Sequence, residues 1–265
     1  MSEVLTEVSS DILDLLAGID PGSSLASARQ TREAATRHTQ GSYEAIFSAD
    51  AETYSALPLS TRFWLAEKIA LLQQDDILQR FYAGKLAGFP APTPSPALQR
   101  AQAWVERLTT APVSAAPEQL RALEQAGWSA EDIVTLSQLA AFVNFQSRLL
   151  RGYRLLAGRD VKTHPALSAV AGSWHTQPQT DSGKEAPQAF TQAELGWEPW
   201  VSAKPRADYT EAEQAVLARF GHLDSDYFRL LGRNLPVLEQ RTLTDKGIFY
   251  TPGGLPRKER ELVAA

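Results

Sequence analysis

The chain contains no cysteine in its 265 residues. That removes disulfides, thiolate metal sites and thiol nucleophiles from the chemistry open to it. Histidine is scarce. The four, His38, His164, His175 and His222, are scattered, and no H-x3-H or HExxH spacing puts two imidazoles on one helix face to hold zinc. No cofactor and no metal are expected, and no residue is assigned a catalytic, cofactor-binding or metal-binding role. An excess of positive charge is also missing: 26 Lys and Arg against 31 Asp and Glu give a net charge of −5. Nothing global pulls the chain towards phosphate, so no nucleic-acid partner is expected. Long apolar runs are absent as well, none approaching the roughly 18 residues of a spanning helix. The first residues carry acids where a signal peptide needs basic ones. The expectation is a cytoplasmic protein with no membrane partner.

What is present is an ordinary folding composition, 43% hydrophobic and 22% charged, which rules out a largely disordered chain. The apolar spacing reads as helix almost throughout. Residues 11–19 put Ile12, Leu15, Leu16 and Ile19 on one face, and Asp20-Pro21-Gly22 ends that segment. Ser60 reads as the N-cap of one long helix over 61–86, striped by Trp64, Leu65, Ile69 and Leu72 and then by Ile77, Leu78 and Phe81. Residues 88–96 hold four prolines, which fix φ and remove donors, so they read as a stiff connector. Helical patterns resume over 98–108 and 116–126. Ser129 with Asp132 opens the strongest segment, residues 127–156, whose face is Ile133, Leu136, Leu139, Ala140, Val143, Leu149, Leu150, Tyr153 and Leu156. No alternating β-branched run calls for a sheet. The predicted fold class is all-α.

Residues 159–205 change in character, being rich in Gly, Pro, Ser, Thr and Gln, and read as a linker. Trp197 and Trp200 are the residues expected to clamp it onto a folded surface. Short helical patterns follow over 210–220, 224–231, 236–248 and 257–265. A partial repeat links the two ends of the chain. Ile46-Phe47, a loop, Leu57-Pro58 and a helix carrying Arg62 are matched by Ile248-Phe249, a loop, Leu255-Pro256 and a helix carrying Arg260.

Residues 126–150, AGWSAEDIVTLSQLAAFVNFQSRLL, resemble the alkylhydroperoxidase AhpD-like, or carboxymuconolactone decarboxylase, superfamily. The matching positions are Gly127, Trp128, Ser129, Ile133, Ala141, Phe142, Asn144, Phe145 and Arg148. Residues 57–72 look like the family's hallmark helix opening, L-P-x-x-x-R, and 255–260 look like the same opening again. The resemblance implies an AhpD-like helical domain over 1–158, a linker over 159–205, and the start of a second, truncated copy over 206–265. It also implies a homo-oligomer, trimer or hexamer, and thiol-dependent hydroperoxide reduction by a C-x-x-C pair with a glutamate and a histidine as proton relay. Carried over position by position, the cysteine pair falls on Asp75 and Leu78, the relay histidine on Tyr82 and the helix acid on Phe63. In the second copy Glu261 takes the acid position and the cysteine pair falls past Ala265. The expected function is therefore a peroxidase-related protein inactive in this cysteine-free chain. The alternatives are a non-catalytic oligomerisation or binding scaffold, or a cysteine-independent lyase using Asp75, Glu67 and Tyr82.

Other candidates read as bland. Asp75 and Asp76 with Glu67 are expected to be solvated helix-end acids. Asn144 and Arg148 share a helix face, with an anion-binding reading set against a favoured structural or interface one. Arg148, Arg151 and Arg154 form a basic stripe expected to snorkel around the core or to meet acids across an interface. Residues 251–254, Thr-Pro-Gly-Gly, lack the Lys-Ser/Thr ending of a phosphate loop and read as a turn.

Overall fold

The longest element of the computed structural model is a helix of 27 residues, Ala130–Leu156, and helices from the first half of the chain pack against it. The structure describes residues 11–162, 177–180, 183–187, 189 and 198–264. In chain order the helices are α1 Ile12–Ala17, α2 Ser24–Gln30, α3 Glu33–Phe47, α4 Leu59–Leu72, α5 Asp76–Leu86, α6 Pro96–Thr110, α7 Pro117–Gln125, α8 Ala130–Leu156, α9 Glu211–Phe220, α10 Asp226–Leu231, α11 Leu235–Phe249 and α12 Arg257–Ala264. Among the described residues there is no strand, only an isolated antiparallel bridge between Gln179 and Glu185. The fold is all-α.

The start of α8 follows from its sequence. The Ser129 hydroxyl accepts from the Asp132 N–H at 3.1 Å, and the Asp132 carboxylate accepts from the Ser129 N–H at 3.2 Å. Two of the free donors at the helix start are satisfied reciprocally. Ile133, Leu136, Leu139, Ala140, Val143 and Leu150 are buried in the main core with residues of α4, α5, α6 and α7. The last turn leaves that core, so Leu156 is 69% exposed rather than part of the apolar face.

Three expectations about the first half need correction. Residues 61–86 are two helices, not one. The backbone turns left-handed at Gln74, with φ 53°, and the buried Asp75 carboxylate then caps α5 by accepting from the Leu78 N–H at 3.0 Å. Nor is Ser60 the cap of α4, since the Pro58 carbonyl already accepts from the Arg62 N–H at 2.9 Å. In α1 the buried residues are Leu13 and Ala17, while Leu15 is 62% exposed; of the expected face, Leu16 packs against the core and Ile19, just past the helix, is buried in it. Asp11 and Asp14 both pair with the buried Arg29.

The sequence pattern assigns no helix to residues 22–56, yet α2 and α3 lie there. The inner face of α3 is Ala35, Thr39, Ser42 and Ile46, correct in spacing but too small and polar to register as an apolar stripe. Against it lies α11, antiparallel and very close. A Cβ on Gly247 would stand 2.5 Å from the Ala35 backbone N, and one on Gly41 would meet Gln240. Val237 of α11 joins the main core, whereas Tyr209, Leu217, Phe220, Leu235 and Leu238 form a smaller cluster. Trp197 lies outside the described residues. Trp200 is 51% exposed, and the buried anchor at this end of the expected linker is Val201.

Candidate functional site

The positions that the AhpD-like resemblance assigns to redox chemistry in the first copy are Asp75, Leu78, Tyr82 and Phe63, on α4 and on α5 with its N-cap, and they are filled. Asp75 is buried, not solvated, and besides capping α5 it accepts from the Ser147 hydroxyl at 2.9 Å. One turn on, Leu78 is wholly buried, as is Tyr82 another turn on, whose hydroxyl donates to Gln146 Oε1 at 2.5 Å. Burial holds the Tyr82 phenol well above its ordinary pKa, reinforced by Tyr43 and opposed by the Gln146 bond. Phe63 is buried with its ring stacked on Phe47, centroids 5.0 Å apart. Chemically this cluster is a closed polar seam, because each acid and hydroxyl serves a partner inside the core.

The remaining candidates are placed as follows. Asp76 is exposed and paired with Lys162. Glu261 is exposed and pairs with Arg257 at 3.1 Å, one turn away. Asn144 is buried: Gln73 donates to its side-chain oxygen, and its amide donates to Thr109 Oγ1 at 3.1 Å and to the Ala140 carbonyl at 2.9 Å. The arginine stripe meets backbone carbonyls of this chain rather than acids. Arg148 reaches Asn144, Arg151 reaches Gln73 and Arg154 reaches Leu16. His38 Nδ1 lies 2.7 Å from Gln240 Oε1, and His222 sits edge-on to Phe228; His164 and His175 lie outside the described residues. Among the described residues no group of three or more His, Cys, Asp or Glu could hold a metal ion, and no helix is long and apolar enough to cross a membrane.

Two arginines that sequence reasoning singled out only by their repeated offset prove to be structural hubs. Arg62 is wholly buried. Its guanidinium donates to the carbonyls of Leu57 at 2.8 Å, Ile46 at 2.9 Å, Ala51 at 3.0 Å and Ser55 at 3.4 Å. Burial lowers its pKa to about 10, against the pull of Glu52 and Asp132, so it is charged at neutral pH. Arg260 donates to the carbonyls of Ile248 at 2.5 Å and Thr251 at 2.9 Å.

Two depressions flank α2 and α3. One, of about 530 Å³, is lined by Asp11, Asp14, Glu33, Glu44, Arg29 and Gln40 among others. Its central cation is committed: Arg29 lies 3.0 Å from Asp11 and 2.6 Å from Asp14, with its guanidinium 4.5 Å above the Tyr153 ring. The other, of about 350 Å³, is apolar. Leu25, Ala35, Phe145, Leu149, Tyr153 and Ile248 line it, together with Arg29, Arg32 and Arg260. It continues along the outer side of α8, past Arg148 and Gly152. The sequence signal for this groove was Leu149, Tyr153 and Leu156, which continue the apolar spacing of α8 beyond the part that the core covers.

The chain matches no family model, no curated protein and no solved structure.

Proposed function

We propose that this chain is an AhpD-like helical protein whose redox centre has been replaced by packed core, and that it works without catalysis, as a cytoplasmic homo-oligomeric scaffold. The observation that carries the first part is the sealed seam of Asp75, Leu78 and Tyr82. In a thiol peroxidase those positions must let peroxide reach a thiolate and must supply a proton to the leaving oxygen. Here a capping carboxylate, a core leucine and a hydrogen-bonded tyrosine occupy them, each buried.

A repeated local arrangement supports the two-unit reading. α3 and α11 are each 15 residues long and end in Ile-Phe. α2 begins at residue 24 and α3 at 33, and α10 begins at 226 and α11 at 235, the same interval. In both units a loop and Leu-Pro follow, and then a helix whose arginine returns to the isoleucine carbonyl: Arg62 to Ile46, and Arg260 to Ile248. α3 and α11 pack against each other antiparallel, as two related units would about a local two-fold axis.

Two measurements test the proposal. Light scattering after gel filtration should give a trimer or hexamer; a monomer of 29.0 kDa at every concentration would end the scaffold reading. Cumene hydroperoxide with a dithiol reductant should be consumed no faster than in buffer, and turnover by the purified chain would refute the loss of chemistry.

A further inference from the structure

We infer that the apolar groove between α2, α3 and the last turns of α8 binds a medium-chain alkanoate, with the carboxylate held at the Arg32 and Arg260 end and the alkyl chain along Leu149 and Tyr153. The inference does not depend on the AhpD-like reading.

Charge is the first argument. In a chain of net charge −5, the described residues that line the groove and its continuation include Arg29, Arg32, Arg148 and Arg260 and no Asp or Glu. Arg29 is answered by Asp11 and Asp14. The others hold neutral carbonyls: Arg32 those of Thr251 and Gly253, Arg148 that of Asn144, and Arg260 those of Ile248 and Thr251. A carbonyl orients a guanidinium without cancelling its charge, so an anion there gains charge-assisted hydrogen bonds. Arg260 is one such group, since its guanidinium donates to two carbonyls and has no ion pair with a carboxylate among the described residues. Burial and the nearby charges of Arg32 and Arg257 lower its pKa, opposed by Glu261.

The second argument is shape and polarity. About 350 Å³ lies at the small-ligand end of binding-site volumes, roughly 300–1,000 Å³. Apart from the arginines, the described lining residues offer only the hydroxyls of Thr36, Thr39 and Tyr153 as side-chain polar groups. An unbranched alkyl chain asks for no more. The ligand that satisfies both arguments has one anionic head and an apolar tail.

The test is isothermal titration of the full chain with octanoate, decanoate and dodecanoate, each below its micelle concentration, with dodecanol and dodecyltrimethylammonium as controls. The expected result is 1:1 binding that tightens roughly fourfold per methylene. Arg260→Gln should weaken dodecanoate about tenfold and leave dodecanol unchanged. Leu149→Glu should abolish both; Ala28→Trp, which fills the groove from an exposed position, does the same job if Leu149→Glu fails to fold by circular dichroism. Equal binding of the cationic amphiphile would overturn the inference, as would the absence of saturable binding. It would also be overturned if Leu149→Glu split an oligomer that dodecanoate does not touch, because the groove would then be an interface between copies.

Discussion

Replacing Arg62 by methionine is the sharpest test of what holds the first helices together. The side chain is wholly buried and donates to four carbonyls contributed by the end of α3, the turn after it and the entry to α4. Methionine fills most of the volume but donates nothing. Each carbonyl left in the core without a donor costs about 1–3 kcal/mol. Set against that is the burial of one more apolar side chain, roughly 2 kcal/mol, and relief from holding a charge out of water. Four carbonyls at about 1.5 kcal/mol each, less that return, leave a destabilisation of about 4 kcal/mol. That is a large share of a typical stability of about 5–15 kcal/mol. At about 2–4 °C per kcal/mol for a chain of this size, the midpoint should fall by roughly 8–16 °C. Urea and thermal unfolding followed by circular dichroism measure the two, with Arg62→Lys as the companion. Lysine keeps the charge but cannot fork towards opposed carbonyls, so it should lie between wild type and methionine. Arg62→Met within about 1 kcal/mol of wild type would refute the hub reading.

The other predictions concern the seam, the helix crossing and alkaline pH. Asp75→Ala removes the α5 cap and leaves the Ser147 hydroxyl buried without its partner, so urea unfolding should show a loss of about 2–3 kcal/mol. Gly247→Ala should destabilise by at least about 1–3 kcal/mol, because its Cβ would meet Ala35 backbone at 2.5 Å and rigid backbone cannot yield. Gly84→Ala, in the exposed face of α5 with open space around it, should instead stabilise by up to about 1 kcal/mol in the same assay. Stability should fall as pH rises above about 10. The phenols of Tyr43 and Tyr209 are pushed by burial to about 12, and that of Tyr82 is held well above its ordinary value. The unfolded chain releases these protons from about pH 10 while the native state keeps them, so the native state binds more protons and loses ground as pH rises. Tyr82→Phe should flatten the alkaline limb of a stability–pH profile, and an unchanged limb would contradict the assignment.

Part of this protein is fixed by its sequence alone. The spacing of apolar residues is enough for the all-α class, and the Ser129–Asp132 pair for the start of α8, because both depend on interactions within a few residues. The absence of cysteine is likewise complete information about thiol chemistry in this chain. The tertiary structure decided what depends on distant neighbours. Asp75 looks like a solvated acid until Ser147, far along the chain, is brought against it, and that contact helps split one expected helix into two. α3 hides from pattern reasoning because its inner face is Ala35, Thr39 and Ser42, small residues whose value lies in letting α11 approach closely. Leu149, Tyr153 and Leu156 read as core by periodicity, yet Leu149 and Tyr153 are only half-buried at its edge and Leu156 is exposed, so all three line a groove. Periodicity records which residues share a face. Whether that face is covered, and by what, is set by where the rest of the chain comes to lie.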